Sequence, residues 1–260
     1  MSSSLQTLVR DLHRRRGRER RGLALAEGVR LVEEAIAAGI PIRGVIASQA
    51  LESTTRGKAL KAALAERGLR IEEVADDELV DLADTEHPQG ILAVIEPRRW
   101  SLSDLRMPAG GAVLALDGVQ DPGNVGTMIR TAHGLGALGL VALKGTADLA
   151  NSKVIRGAMG ASFRLPIATA APEELIAWAR LQRGEIWLAD RSGQAPRRLL
   201  PPGAHRPGIV LVVGNEGAGI GPALDAAADQ RIAIPLRNAV ESLNVAIAAG
   251  ILLYEVIGAA

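Results

Sequence analysis

Apolar positions in the first hundred residues switch repeatedly between a helical and an extended period. From Gly28 to Gly39 the residues Val29, Leu31, Val32, Ile36 and Ala37 recur at helical spacing, and Ile42 to Ile46 then reads as a strand. Arg56 to Arg67 carries Leu60 and Leu64 on one helical face, and Leu69 to Val74 is strand-like. Asp76 to Leu82 predicts a short helix capped by its aspartate, and Ile91 to Ile95 an apolar strand. The pattern predicts a small α/β domain over residues 1–97. A proline and charge cluster, Glu96-Pro97-Arg98-Arg99-Trp100, and a soft stretch, Met107-Pro-Ala-Gly-Gly111, mark residues 98–111 as a linker.

A longer series follows. Ala112 to Leu116, Leu138 to Leu143, Ile186 to Ala189, Ile209 to Val213 and Arg231 to Ile234 read as strands, with helices over Gly123 to Leu135, Pro172 to Arg183 and Asn244 to Val256. Alternation of this kind predicts an α/β domain over residues 112–260, built on a parallel sheet covered on both faces.

The 260 residues contain no cysteine, which excludes disulfide frameworks, thiolate nucleophiles and cysteine zinc sites. His13, His87, His133 and His205 lie far apart without ligand-type spacing, so no metal site is expected. The chain has no long uninterrupted apolar run and its first residues lack the apolar core of a signal peptide, so the expectation is a soluble cytoplasmic protein. The net charge of +1 hides an uneven distribution: seven arginines lie between Arg10 and Arg21 against Asp11 and Glu19, whereas residues 22–97 carry seven basic and fourteen acidic side chains. Such an arm is either a solvated helix face or a phosphate contact in which Arg14, Arg15 and Arg16 bind RNA. With aromatics at 2%, a base-stacking platform is not expected.

Chemistry concentrates in three segments: Leu116-Asp-Gly-Val-Gln-Asp-Pro-Gly-Asn124-Val-Gly-Thr-Met-Ile-Arg130, Leu211-Val-Val-Gly-Asn-Glu216-Gly-Ala-Gly-Ile-Gly221, and Ile234-Pro-Leu-Arg-Asn-Ala-Val-Glu-Ser242-Leu-Asn244. Glycines allow close backbone approach to a ligand, while Ser242 and Asn244 can orient polar groups at the start of the last helix. Gly134-Leu-Gly136-Ala-Leu-Gly139 matches the dinucleotide fingerprint by letter only, because it ends a helix and enters a strand, the reverse of the required order. No nucleophile elbow and no phosphate-binding Gly-Lys-Ser/Thr loop is present.

In order and spacing the three segments resemble the signature motifs of the SpoU (TrmH-type) RNA ribose 2′-O-methyltransferases. Ala26-Glu27-Gly28-Val-Arg30 and His87-Pro-Gln-Gly90 look like the ribosomal-protein-like substrate-binding domain that often precedes that catalytic domain. The resemblance implies S-adenosylmethionine as methyl donor, a homodimer, a deep C-terminal trefoil knot over the segments from about Ile209, and a structured RNA substrate. Its N-terminal lobe favours 23S ribosomal RNA over transfer RNA. A non-catalytic RNA-binding or ribosome-assembly module is the reading from another class. By position the resemblance assigns catalytic roles to Asn124, Arg130, Glu216, Ser242 and Asn244, and cofactor contacts to Gly214, Ile234 and Leu243. Arg130 also counts as an RNA contact, and the buried look of its neighbours Ile129 and Ala132 argues against a plain surface arginine. Asn124 is alternatively a helix cap, and Glu216 either accepts the ribose proton or positions Asn124. Asn238 departs from the pattern, which has glycine there in many relatives.

Overall fold

A computed structural model describes residues 4–200, 206–237 and 241–258. Asn238, where the sequence departs from the motif, lies outside them. The chain divides into two compact units, one of residues 1–98 and 148–163, the other of residues 99–147 and 164–260.

In the first unit, α1 (Ser4–Leu12) and α2 (Arg15–Arg21) precede β1 (Ala24–Glu27), α3 (Val29–Ala37), β2 (Ile42–Ala47), α4 (Thr55–Glu66), β3 (Ile71–Glu73), α5 (Asp76–Leu82) and β4 (Ile91–Ile95). The sheet order is β1-β4-β2-β3, antiparallel except for the β2–β3 pair. Strand alternation sorts its side chains into two cores. Ala26, Val45, Ile91, Ala93 and Ile95 pack with Val32, Leu60 and Leu64 of α3 and α4, whereas Leu25, Ile46, Leu92 and Val94 pack with Val9, Leu12, Leu79 and Leu82 of α1 and α5. β1 is too short to be predicted, α2 falls in the arm read as either a solvated helix or a phosphate contact, and α1 went unpredicted although Leu5, Leu8, Val9 and Leu12 recur at helical spacing. Asp76 is the first helical residue, with Ala75 in the cap position, and its carboxylate accepts the Ala50 N–H at 3.0 Å instead of capping α5.

The second unit begins with β5 (Ala112–Asp117), α6 (Pro122–Gly134) and β6 (Gly139–Leu143). The chain then enters the first unit, where α7 (Ser152–Ala158) and the following turn bury Ile155 and Phe163 in the α3/α4 core. That burial divides the uninterrupted domain expected from 112 to 260. β7 (Ile167–Ala170), α8 (Pro172–Leu181), β8 (Glu185–Gln194), α9 (Pro196–Leu199), β9 (Ile209–Gly214), α10 (Pro222–Ala226), β10 (Gln230–Ile232) and α11 (Val245–Ile257) complete the second unit. Its six strands run in the order β10-β8-β9-β5-β6-β7, every pairing parallel. Val113, Ala115, Val210 and Val212 face Leu175, Trp178 and Ala179 of α8 and Leu224 of α10. The alternate residues of β5 and β9 point to the other face, where α6 and α11 pack. Gly134 ends α6, Gly136 has a φ of 81° and Gly139 opens β6, so the apparent dinucleotide fingerprint is a helix-to-strand turn.

Packing also fixes one histidine. His13 places Nε2 2.9 Å from the Leu82 carbonyl and Nδ1 3.1 Å from the Asp84 carboxylate, so both ring nitrogens meet acceptors and only the imidazolium satisfies both. The Asp84 hydrogen bond accordingly holds the His13 pKa above the ordinary 6.5, and the same bond holds Asp84 below 3.8. A raised folded-state pKa stabilises fully below 6.5, and this contribution disappears as pH rises through the folded value. The lowered Asp84 pKa acts in the opposite window, with a contribution present above 3.8 and lost as pH falls through the folded value. Thermal melts between pH 6 and pH 9 should therefore show wild type losing its advantage over His13→Gln as pH rises. Parallel melting curves across that window would show that the charged imidazole contributes nothing.

Candidate active site

β5 and β9 are neighbours in register, and their last residues, Asp117 and Gly214, face each other at the C-terminal edge where open α/β sheets bind ligands. The two loops that leave them are tied together. The Asn215 side chain accepts the Gly217 and Ala218 N–H groups at 2.8 Å each and donates through Nδ2 to the Gly118 carbonyl at 2.9 Å. Asn215 and Gly219 also exchange backbone hydrogen bonds of 3.1 and 2.9 Å, closing the turn that carries Glu216. The Asp117 carboxylate accepts the Gly221 N–H at 2.7 Å. Gly214 is required by crowding, since a Cβ there would stand 2.5 Å from the Gly219 carbonyl oxygen. Sequence reasoning missed Asp117 and Asn215 as site residues; the available signal was an asparagine at a Gly-Asn-Glu-Gly turn, where its side chain can close an Asx turn.

The three motifs meet through side chains. Asn244 caps α11, its Oδ1 accepting from the Ala246 and Ile247 N–H groups at 2.9 and 3.3 Å. That orientation turns its Nδ2 into the donor to Asn124 Oδ1 at 3.0 Å, and Asn124 Nδ2 in turn donates to Glu216 Oε1 at 3.0 Å. One residue from each motif thus joins a chain with a defined direction, starting at a helix cap and ending on a carboxylate. Asp121 caps α6 by accepting the Asn124 N–H at 2.6 Å, so Asn124 is not the cap and its side chain is available to the network. Likewise Ser242 precedes the cap of α11 and does not supply it.

Arg130 stands apart. It lies on α6 with Asn124, six residues on and about 240° around the axis, so the two point from different faces. Ile129 and Ala132 are fully buried, yet Arg130 itself is exposed and makes no ion pair among the described residues. Burial of neighbours does not extend to a residue rotated 100° away. The RNA candidates Arg14, Arg15 and Arg16 are exposed in the first unit, Arg15 paired with Glu19 at 2.7 Å.

Beside the network is a cavity of about 970 Å³ whose walls include all three cofactor candidates, Gly214, Ile234 and Leu243, together with Glu216 and Ser242. The volume falls at the upper end of small-molecule sites. Gly214 brings backbone to its surface, and Ile234, Leu236 and Leu243 supply apolar walls for a flat base. Asp190 and Asp225 also reach the cavity, held below the usual carboxylate range by the Ser192 backbone N–H and by Arg231 respectively. Arg231 pairs with both, and Arg191 and Arg198 line the cavity as well, so it is the apolar walls and bare backbone that fit a flat nucleoside. No cluster of three or more metal-ligating side chains occurs among the described residues.

Comparison with known proteins agrees with this geometry. Residues 111–254 match the SpoU rRNA Methylase family, and residues 7–93 match the MRM3-like substrate binding domain. The chain is 34% identical over 249 residues to the 23S rRNA (guanosine(2553)-2′-O)-methyltransferase RlmP of Bacillus subtilis, covering 96% of this chain and 94% of that protein. It is 30% identical to a 23S rRNA (uridine(2479)-2′-O)-methyltransferase of Streptomyces viridochromogenes, over 95% of this chain and 86% of that one. Its fold superposes on the AdoMet-bound rRNA methyltransferase from Sinorhizobium meliloti with a TM-score of 0.85 at 30% identity, covering 98% and 94% of the two chains. With two of its motifs lining one cavity, the first hydrogen-bonded to both, and its fold shared along nearly its whole length, the chain belongs to the SpoU rRNA methylase family.

Proposed function

We propose that the protein transfers the methyl group of S-adenosylmethionine to a ribose 2′-hydroxyl of 23S ribosomal RNA. The observation that carries this reading is the Asn244–Asn124–Glu216 chain, one residue per motif, at the edge of the cavity lined by Gly214, Ile234 and Leu243. The bound donor supplies a methyl group already activated on sulfur, so the protein's task is alignment and charge management. Gly214, Ile234 and Leu243 hold the donor; Asn124, Glu216, Ser242 and Asn244 orient the ribose. Arg130 grips the neighbouring phosphate and stabilises charge developing on the 2′ oxygen. Glu216 fixes the Asn124 amide.

The relatives act on different nucleotides of the same RNA, a guanosine in one and a uridine in the other, which supports the RNA class and leaves the base outside the proposal. The match of residues 7–93 supports RNA binding by an N-terminal domain over residues 1–97, with Arg14, Arg15 and Arg16 as phosphate contacts, and the match of 111–254 supports a methyltransferase domain over 112–260 from which 148–163 departs to pack in the first unit. A homodimer is part of the same reading: Ile247, Ile251 and Tyr254, at positions i, i+4 and i+7 of α11, are 56%, 40% and 51% exposed, an apolar stripe suited to a second copy. So is the trefoil knot, which the whole-chain likeness to solved relatives supports. No described helix is long and apolar enough to cross a membrane, and a ribosomal RNA substrate supports a cytoplasmic location as part of the same reading.

Incubation with total RNA and labelled donor, followed by mapping of ribose methylation, should give a site in 23S ribosomal RNA; label confined to transfer RNA, or none despite donor binding, would overturn the reading. Arg130→Ala should lower turnover at least ~100-fold, about 2.7 kcal/mol, with donor affinity held within a few-fold, and Arg130→Lys should restore little. Wild-type turnover in the alanine variant would remove Arg130 from the mechanism. Glu216→Gln keeps an oxygen for Asn124 and should retain turnover within about tenfold, while Glu216→Ala should lose roughly a hundredfold. Equal, large losses in both would make the carboxylate the proton acceptor.

A further inference from the structure

The six arginines between Arg14 and Arg21 divide by what they touch. Arg18 is only 7% exposed, donates to the Leu12 and His13 carbonyls at 2.8 Å each and pairs with Asp148 at 2.7 Å. Arg20 and Arg21 both bind Asp11, at 2.8 and 2.6 Å, and Arg15 pairs with Glu19. These four serve the fold or share their charge. Arg14 and Arg16 are exposed and have no ion pair among the described residues.

A second set of contacts binds this turn to the excursion of 148–163. The Asp84 carboxylate takes His13 Nδ1 on one oxygen and the Ser152 hydroxyl on the other, while Arg18 holds Asp148. His13 and Ser152 therefore meet at one carboxylate, which holds together the two chain segments that carry Arg14 and Lys153. Lys153 is exposed, has no ion pair among the described residues, and is close enough to Asp84 to favour its ionised form. The one aromatic residue of this unit, Phe163, is 2% exposed and buried in its core, so base stacking is not open to this surface.

We propose that Arg14, Arg16 and Lys153 form a single phosphate-binding surface on the first unit, which holds the backbone of the RNA substrate. This rests on the ribosomal RNA reading above and narrows it to three cations contributed by distant parts of the chain. The frame beneath them is fixed by the Asp84 bridge and the buried Arg18, so the cations are presented without the ordering cost of a loose tail. Recognition is through charge and spacing, with no contribution from base identity.

The test is the salt dependence of binding to a folded 23S ribosomal RNA transcript, with the full-length protein. Lys153→Gln should weaken binding and reduce the slope of log affinity against log salt by about 0.7 to 0.9, and the Arg14, Arg16, Lys153 triple glutamine variant by about three times as much. Arg20→Gln, a control whose charge is spent on Asp11, should leave the slope unchanged. Exposed glutamines do not endanger the fold, and unchanged donor affinity and melting temperature verify this. A wild-type slope in Lys153→Gln, with wild-type RNA binding intact, overturns the surface while leaving the methyltransferase reading in place. Absence of RNA binding by the wild-type protein overturns the reading itself. A slope that falls equally with Arg20→Gln shows a diffuse basic face and likewise overturns the defined surface.

Discussion

The parallel pairing of β9 with β5 is the constraint on which the site depends. It sets Asp117 opposite Gly214, and from that register two loops more than ninety residues apart in sequence leave the sheet side by side. Their separation is then short enough for one asparagine side chain to close a turn in its own loop and bond the backbone of the other. A slip of one residue in β9 would turn its side chains to the opposite face. Val210 and Val212 would then leave the core they form with Leu175, Trp178, Ala179 and Leu224, which opposes that slip.

On this frame the amide chain from Asn244 to Glu216 acquires a direction. A hydrogen bond is worth only about 1 kcal/mol net, and the two of this chain lie at the exposed edge of the site, so they do little for stability. Their value is orientational. Because the helix cap consumes Asn244 Oδ1, the amide cannot flip without losing the N-terminal hydrogen bonds of α11, and the orientation passes to Asn124. The end of the chain is a carboxylate, which accepts and does not compete as a donor. Fold and site are thereby coupled: the first turn of the last helix sets the orientation of Asn124 and, through it, the contact with Glu216.

Much of this architecture was legible in the sequence because the period of apolar residues reports burial directly. Ile91 to Ile95, five of the six strands of the second unit and the helix beginning near Gly123 are read from that signal. What the pattern does not carry is the destination of polar side chains. Asp121 and Asn124 are both good caps by type, and only the backbone decides that the aspartate caps and the asparagine is free for Glu216. The exposure of Arg130 was misjudged from its neighbours, although adjacent helical positions face different directions. β7, Ile167-Ala-Thr-Ala170, is too short and too small to stand out, and α7 gives no hint that it packs with α3 and α4, since nothing local encodes a long-range partner.

Charge shows the same gap between counting and placement. Seven arginines in twelve residues suggest a broad cationic arm, yet Asp11, Glu19 and Asp148 take up four of the guanidinium groups, one of them buried. The arm is therefore largely a structural element, a helical turn laced to its own unit, and its usable charge is smaller and more localised than the sequence implies. A localised set of cations constrains the position of a backbone phosphate better than a diffuse one. A ribose hydroxyl is common to every nucleotide, and relatives at 34% and 30% identity modify a guanosine in one case and a uridine in another, so the choice of target is made outside the reacting group.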